Sequence, residues 1–256
     1  MVNTVYVITG TNRGIGLGLV KGLLARPSTT VVASVRNDAA VASLKSGTAD
    51  VTKGDQSDLH VMLLDLSTAP SPAAVREAFM AATAGTIDRI DVLICNAGAP
   101  FPMIPISATP AEDFRKAFEI NTIAPLMVFQ GLWPLMDKPR SSTDVPAKFI
   151  AVTSAVGSIS TQEPFPGGAY GPSKAALNHI TKSLHVQNKN LVSIALHPGW
   201  VQTRMGEMVA KDWNYAAGPP DTIESSVTGC LQVIDGASRE TTSGKFVLQT
   251  GQVVPW

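Results

Sequence analysis

The chain has 256 residues, 45% of them hydrophobic, and its 20 basic and 20 acidic side chains balance to no net charge. That is enough apolar material for one substantial core, with no basic excess to attract nucleic acid and no apolar run near the ~20 residues that a membrane-spanning helix needs. A single domain over residues 1–256 is expected, since no repeat or linker divides the chain.

The first apolar run, "TVYVIT", follows Asn3 directly, without the positively charged leader of a secreted protein, so a cytoplasmic location is expected. It runs into "TGTNRGIGLG", where Gly10, Gly14 and Gly16 let the backbone pass close to a pyrophosphate held at a helix N-terminus. Glycine alone would mark only a tight turn. Its place after the first strand and before a helix over 14–25 points to a dinucleotide. The second run ends "ASVRND", with Val35 and Arg36 where NAD enzymes carry an acid for the ribose hydroxyls. A guanidinium suits a phosphate, and Arg13 adds a second cation, so NADP(H) is expected over NAD. Asp38 is a counter-signal, and two solvated surface arginines are the alternative.

Further along come "HVMLLD", "DVLICN", "AKFIAVT", "LVSIALH" and "KFVLQ", apolar runs with the length of buried strands. Helical patterns over 38–45, 72–84, 111–136 and 170–188 separate the first six strands. This alternation predicts an α/β fold of Rossmann type, a doubly wound seven-stranded parallel sheet flanked by helices. Cys95 and Cys230 lie far apart and are expected as buried free thiols. The four histidines, His60, His179, His185 and His197, show no metal-ligand spacing, and no metal site is inferred.

Three stretches carry chemistry. In "EINTIAPLM" the residue four places after Asn121 is Pro125, which has no N–H to bond the Asn121 carbonyl; the result is a free carbonyl or a plain proline kink. In "AYGPSKAAL" Tyr170 and Lys174 fall on one helix face, where the ammonium would pull the phenol pKa towards neutrality; a solvated surface pair is the alternative. The segment 204–220, "RMGEMVAKDWNYAAGPP", stands outside the alternation and reads as a substrate lid or as a packed surface helix. Met205, Met208 and Trp213 would cover a flat ligand from that side, with Phe101, Met103 and Phe165 on the opposite wall.

Taken together, these stretches resemble the short-chain dehydrogenase/reductase family over the whole chain. "TGTNRGIG", with Asn12, Arg13 and Ile15, looks like its glycine motif; Asp65 and Leu66 look like its adenine contact; Asn96, Ala97 and Gly98 look like its cofactor-supporting strand end. Asn121, Ser154, Tyr170 and Lys174 match its catalytic tetrad, and "HPGWVQT", with Pro198, Gly199, Val201 and Thr203, matches its nicotinamide-side loop. The tail from Arg239 is similar to fungal polyketide ketoreductases of the norsolorinic acid type and to sniffer-type carbonyl reductases.

The resemblance implies NADPH-dependent reduction of an apolar ketone, aromatic polyketides included, to a secondary alcohol. Tyr170 would be the general acid and Ser154 a hydrogen-bond donor to the carbonyl. Lys174 would tune the tyrosine and bind the nicotinamide ribose, and the Asn121 carbonyl would hold a water linking Lys174 to solvent. It also implies pairing through the two long helices into a homodimer or homotetramer. An NAD-dependent alcohol dehydrogenase and a non-catalytic NADP-sensing protein are the alternatives. Two departures stand out: a long "STQEPFPGG" segment ahead of Tyr170, and Thr250 where relatives often carry an aspartate.

Overall fold

A computed structural model describes residues 3–138, 145–162 and 164–256. The "STQEPFPGG" segment contains residue 163, which lies outside them. The seven expected strands form in order: β1 (Thr4–Thr9), β2 (Thr29–Val35), β3 (Asp58–Leu63), β4 (Val92–Cys95), β5 (Ala147–Val152), β6 (Leu191–His197) and β7 (Phe246–Leu248). All seven pair in parallel, in the order β3-β2-β1-β4-β5-β6-β7. The expectation of seven strands needs one correction, because a two-residue β8 (Val253–Val254) pairs antiparallel with β7 at the edge. Two valines between Gln252 and Pro255 are too short a run to carry a period of their own.

Strand residues point alternately to the two faces, which is why each run is apolar throughout rather than alternating. On one face Tyr6, Ile8, Val31, Ile94 and Ile194 meet α1 (Gly14–Leu24), α2 (Asp38–Thr48) and α8 (Ile223–Asp235) through Leu19, Leu23, Leu44 and Ile234. On the other, Val5, Val7, Leu93 and Phe149 meet α3 (Pro72–Thr83), α5 (Ala124–Met136) and α6 (Tyr170–Gln187) through Val75, Phe79, Leu132 and Leu177. The chain reverses its winding between β1 and β4, so the crevice for a ligand opens at their carboxyl ends.

The helix expected over 111–136 is interrupted. It comprises α4 (Ala111–Phe118), a π turn at Glu119–Ile123 and α5. Pro125 removes the N–H that would continue the α ladder from Asn121, and the Ala124 N–H instead reaches back five residues to the Glu119 carbonyl. The segment after β6 holds α7 (Arg204–Asp212). Cys95 and Cys230 are buried and unbridged. Among the described residues no helix is long and apolar enough to cross a membrane.

The tail folds back on the sheet edge. The Trp256 ring stacks 6.0 Å from Phe246, its carbonyl accepts from the Ser160 N–H at 2.8 Å, and the Pro255 carbonyl accepts from the Ser158 hydroxyl at 3.1 Å. Thr250 lies in the turn between β7 and β8, and the tail packs on the loop that follows Ser154.

Candidate active site

The glycine turn and the end of β4 interlock. Gly10 takes φ +71°, and a Cβ there would lie 2.9 Å from the Ala97 Cα; at Gly16 it would lie 2.2 Å from the Gly10 carbonyl oxygen. The Asn96 amide donates to the Thr9 and Gly10 carbonyls at 2.9 and 3.0 Å, and the Ala97 N–H donates to the Thr9 hydroxyl at 3.0 Å. Helix α1 starts from Arg13 with no side-chain cap, leaving its first N–H groups for an anion.

From this turn a cleft of about 790 Å³ runs along the carboxyl ends of the strands. The glycine-turn residues, Asn12 and Ile15 among them, form its floor, with exposed Arg13 and Arg36 at its rim. Asp65 and Leu66 flank one end, Asn96, Ala97 and Gly98 the middle, and Tyr170, Lys174, Pro198 and Thr203 the other end. Ser34 also lines it, and its buried hydroxyl has no hydrogen-bond partner among the described residues. A dinucleotide fits these features: a close-approach backbone, an uncapped helix start, two rim cations and an unsatisfied hydroxyl. Gly199 and Val201 stand behind the wall. A Cβ on Gly199 would lie 2.2 Å from the Asp221 carboxylate, and buried Val201 bridges to Asp221 in parallel. The Thr203 hydroxyl caps α7 by accepting from the Gly206 N–H at 3.2 Å.

The four expected catalytic residues converge. Tyr170 opens α6, and Lys174 follows one turn later with its Nζ 5.6 Å from the phenol ring centroid, donating to the Val152 carbonyl at 3.0 Å. Ser154 follows β5 and lies near enough to the Tyr170 phenol for its hydroxyl to favour the phenolate. Asn121 is wholly buried in the π turn; its amide exchanges bonds with the Ala99 backbone at 2.8 and 3.1 Å and donates to the Ser173 hydroxyl at 3.2 Å. A Cβ on Gly98 would lie 3.2 Å from the Asn121 amide oxygen and 3.5 Å from Lys174 Nζ, so that glycine marks the gap between them.

The titration differs from expectation. Burial pushes the Tyr170 phenol up to about 12, only partly opposed by the nearby Ser154 hydroxyl, rather than down towards neutrality. Lys174 is buried with it, and burial brings the ammonium down to about 8. Enclosing two ionisable groups in one apolar site disfavours both charges, and this outweighs the attraction that the helical spacing suggested.

On the substrate side, Met205 and Met208 line the cleft as expected. Phe101 and Met103 do not. They are 8% and 3% exposed, packed with Tyr170 and Val209 beneath the cleft, because their own apolar area is satisfied in that cluster. Phe165 stacks on Trp213 at 4.9 Å, the Trp213 indole N–H donates to the Pro166 carbonyl at 2.9 Å, and the Asp212 carboxylate accepts from the Met103 N–H at 3.0 Å. The 204–220 segment thus begins with a helix whose end is fastened to Met103 and to the 165–166 stretch ahead of Tyr170. Trp200, which contacts Trp213 at 5.6 Å, was not singled out from the sequence, although its place in "HPGWVQT" beside the lid could have drawn attention to it. Gln202 within "HPGWVQT", Arg204 at the head of the 204–220 segment, and Ile223, which no motif marks, also line the cleft.

Fold and cleft together define a class, a Rossmann-type oxidoreductase that works with a nicotinamide cofactor. A family model described as short chain dehydrogenase matches residues 4–214, and the chain belongs to that family. It is similar to a norsolorinic acid ketoreductase of Dothistroma septosporum, 36% identical over 257 residues that cover 99% of this chain and 92% of the relative. Among solved structures it is similar to the carbonyl reductase Sniffer of D. melanogaster (27% identity, TM-score 0.82) and to an NADPH-bound carbonyl reductase from chicken fatty liver (28%, TM-score 0.81), each with both chains fully covered.

Proposed function

We propose that the protein is an NADPH-dependent ketoreductase that reduces an apolar ketone of aromatic polyketide type to a secondary alcohol. The observation that carries this is that Tyr170 and Lys174, one helical turn apart, both line a dinucleotide-sized cleft, with Ser154 next to the cleft-lining Thr153 and near enough to the Tyr170 phenol to act on it. The names of the ketoreductase and carbonyl reductase relatives support it.

When bound, the nicotinamide supplies the hydride. Ser154 donates a hydrogen bond to the carbonyl oxygen and fixes its distance from Tyr170. The raised phenol pKa means that Tyr170 holds its proton at neutral pH and can give it to the oxygen as negative charge builds there. Lys174, still mostly an ammonium below pH 8, then stabilises the phenolate and holds the nicotinamide ribose. The Asn121 carbonyl, at the π turn, holds the water through which Tyr170 and Lys174 regain a proton from solvent. Arg13 and Arg36 take the 2′-phosphate; Asp65 and Leu66 hold the adenine; Val201 and Thr203 hold the carboxamide. Met205 and Met208, backed by the Trp213–Phe165 stack, offer apolar area to a flat substrate. The buried thiols fit a cytoplasmic setting, and the family resemblance supports pairing through the two long helical segments, 111–136 and 170–188, into a homodimer or homotetramer.

A panel of ketones assayed by NADPH absorbance tests this reading. Turnover is expected to rise from a small aliphatic ketone to a bicyclic or tricyclic aromatic one, and to be faster with NADPH than with NADH. Tight NADPH binding without turnover of any ketone would favour the sensing protein, and a preference for NAD with alcohols the alcohol dehydrogenase.

A further inference from the structure

His197 ends β6, yet the chemistry above gives its side chain no part. Its Nδ1 accepts a hydrogen bond from the Ala155 N–H at 3.3 Å, and its carbonyl accepts from the Gln249 N–H at 2.8 Å. Ala155 directly follows Ser154 and opens the short 3-10 turn Ala155–Gly157. The leading N–H groups of such a turn have no partner within it. Here the Val156 N–H is taken by the Ser154 hydroxyl oxygen at 3.3 Å and the Gly157 N–H by the Ser154 carbonyl at 2.9 Å. The Ala155 N–H remains, and His197 takes it.

An acceptor at Nδ1 requires a neutral ring with its proton on Nε2. Burial provides this by bringing His197 down to about 4; Asp221 is the charge that acts on the ring, and it pulls the other way. Gln249 and the tail hold the strand end, so the ring is presented from a fixed support.

We propose that His197 is a positioning residue whose Nδ1 clamps the Ala155 N–H, so that the Ser154 hydroxyl is presented to Tyr170 and to the substrate carbonyl. The clamp is a matter of geometry; its effect on turnover rests on the ketoreductase reading of Ser154.

His197→Leu removes the acceptor, whereas His197→Asn places an amide oxygen near the position of Nδ1. The leucine variant is expected to lose about 10- to 100-fold in kcat, as a misplaced reacting group does, with NADPH affinity and ketone KM within about threefold of the parent. The asparagine variant should recover most of the loss. In a Ser154→Ala background, His197→Leu should cost nothing further, because the two act as one unit. Equal losses in the leucine and asparagine variants, or a loss that adds to that of Ser154→Ala, would overturn the proposal. Ser154→Ala with parental kcat would instead sink the reading of Ser154 itself, and the clamp is then decided by a readout that needs neither activity nor a folded variant. Long-range 1H–15N spectra of the parent should show His197 neutral, with the proton on Nε2, from pH 8 down to pH 5.5. A ring protonated on Nδ1, or one titrating near its ordinary pKa of about 6.5, would show that the clamp is not made.

Discussion

At the scale of single residues, the site was legible wherever chemistry forces a residue type. Gly10 and Gly16 announce themselves because any Cβ there would strike backbone, and Tyr170 and Lys174 because helical spacing brings them together. The electrostatics were not legible. Sequence spacing shows which charges are neighbours but not how far water is excluded, and burial decided the direction of both shifts.

This has a consequence for stability. Between about pH 8 and the unfolded value near ~10.4, the folded protein holds fewer protons at Lys174 than the unfolded chain does, so stability rises with pH across that window. Tyr170, with its folded pKa raised, contributes stability below its unfolded value near ~10 that is lost only as pH climbs from there towards 12. Lys174→Met should therefore be more stable than the parent at pH 7.5, and the gap should close by roughly 2 kcal/mol at pH 9.5. Urea titrations at the two pH values measure this, and a constant gap would mean that Lys174 is not desolvated. Arg36 calls for a different assay. Arg36→Asp should weaken NADPH and strengthen NADH, because a carboxylate repels the 2′-phosphate and accepts from ribose hydroxyls. Unchanged NADPH affinity by isothermal titration would make this exposed guanidinium a bystander.

At the scale of elements, strands and most helices followed from their periods, and the failures share a cause. The break at Glu119–Ile123 depends on how the backbone reroutes around Pro125, which a pattern of apolar positions does not encode. Phe101 and Met103 were placed on the substrate wall because they follow the β4 motif; tertiary packing turned them under Tyr170 instead. Helix α7 takes the packed-helix form of the two sequence readings. Trp213 and Asp212 fasten it to Pro166 and Met103. Trp213→Ala removes the stack on Phe165 and the indole hydrogen bond together. It should cut kcat/KM about tenfold or more for a tricyclic aromatic ketone while leaving a small aliphatic ketone within about threefold. Equal losses on both substrates would point to damaged folding or cofactor binding.

At the scale of the whole molecule, alternation along the chain was enough to give the sheet and its parallel sense, while the strand order that sets the switch point between β1 and β4 emerges only in the fold. The tail was the least legible part, because β8 and Trp256 gain their places only from contacts with β7 and the loop after Ser154. All of this framework serves one proposed event, the transfer of a proton from Tyr170 to the oxygen of a ketone. Replacing Tyr170 by Phe and measuring both NADPH-dependent ketone reduction and NADPH affinity tests that event most directly. The account predicts a loss of at least 100-fold in kcat, with the dissociation constant for NADPH within about threefold of the parent. Activity within about tenfold of the parent, some ~1.4 kcal/mol of barrier, would contradict it.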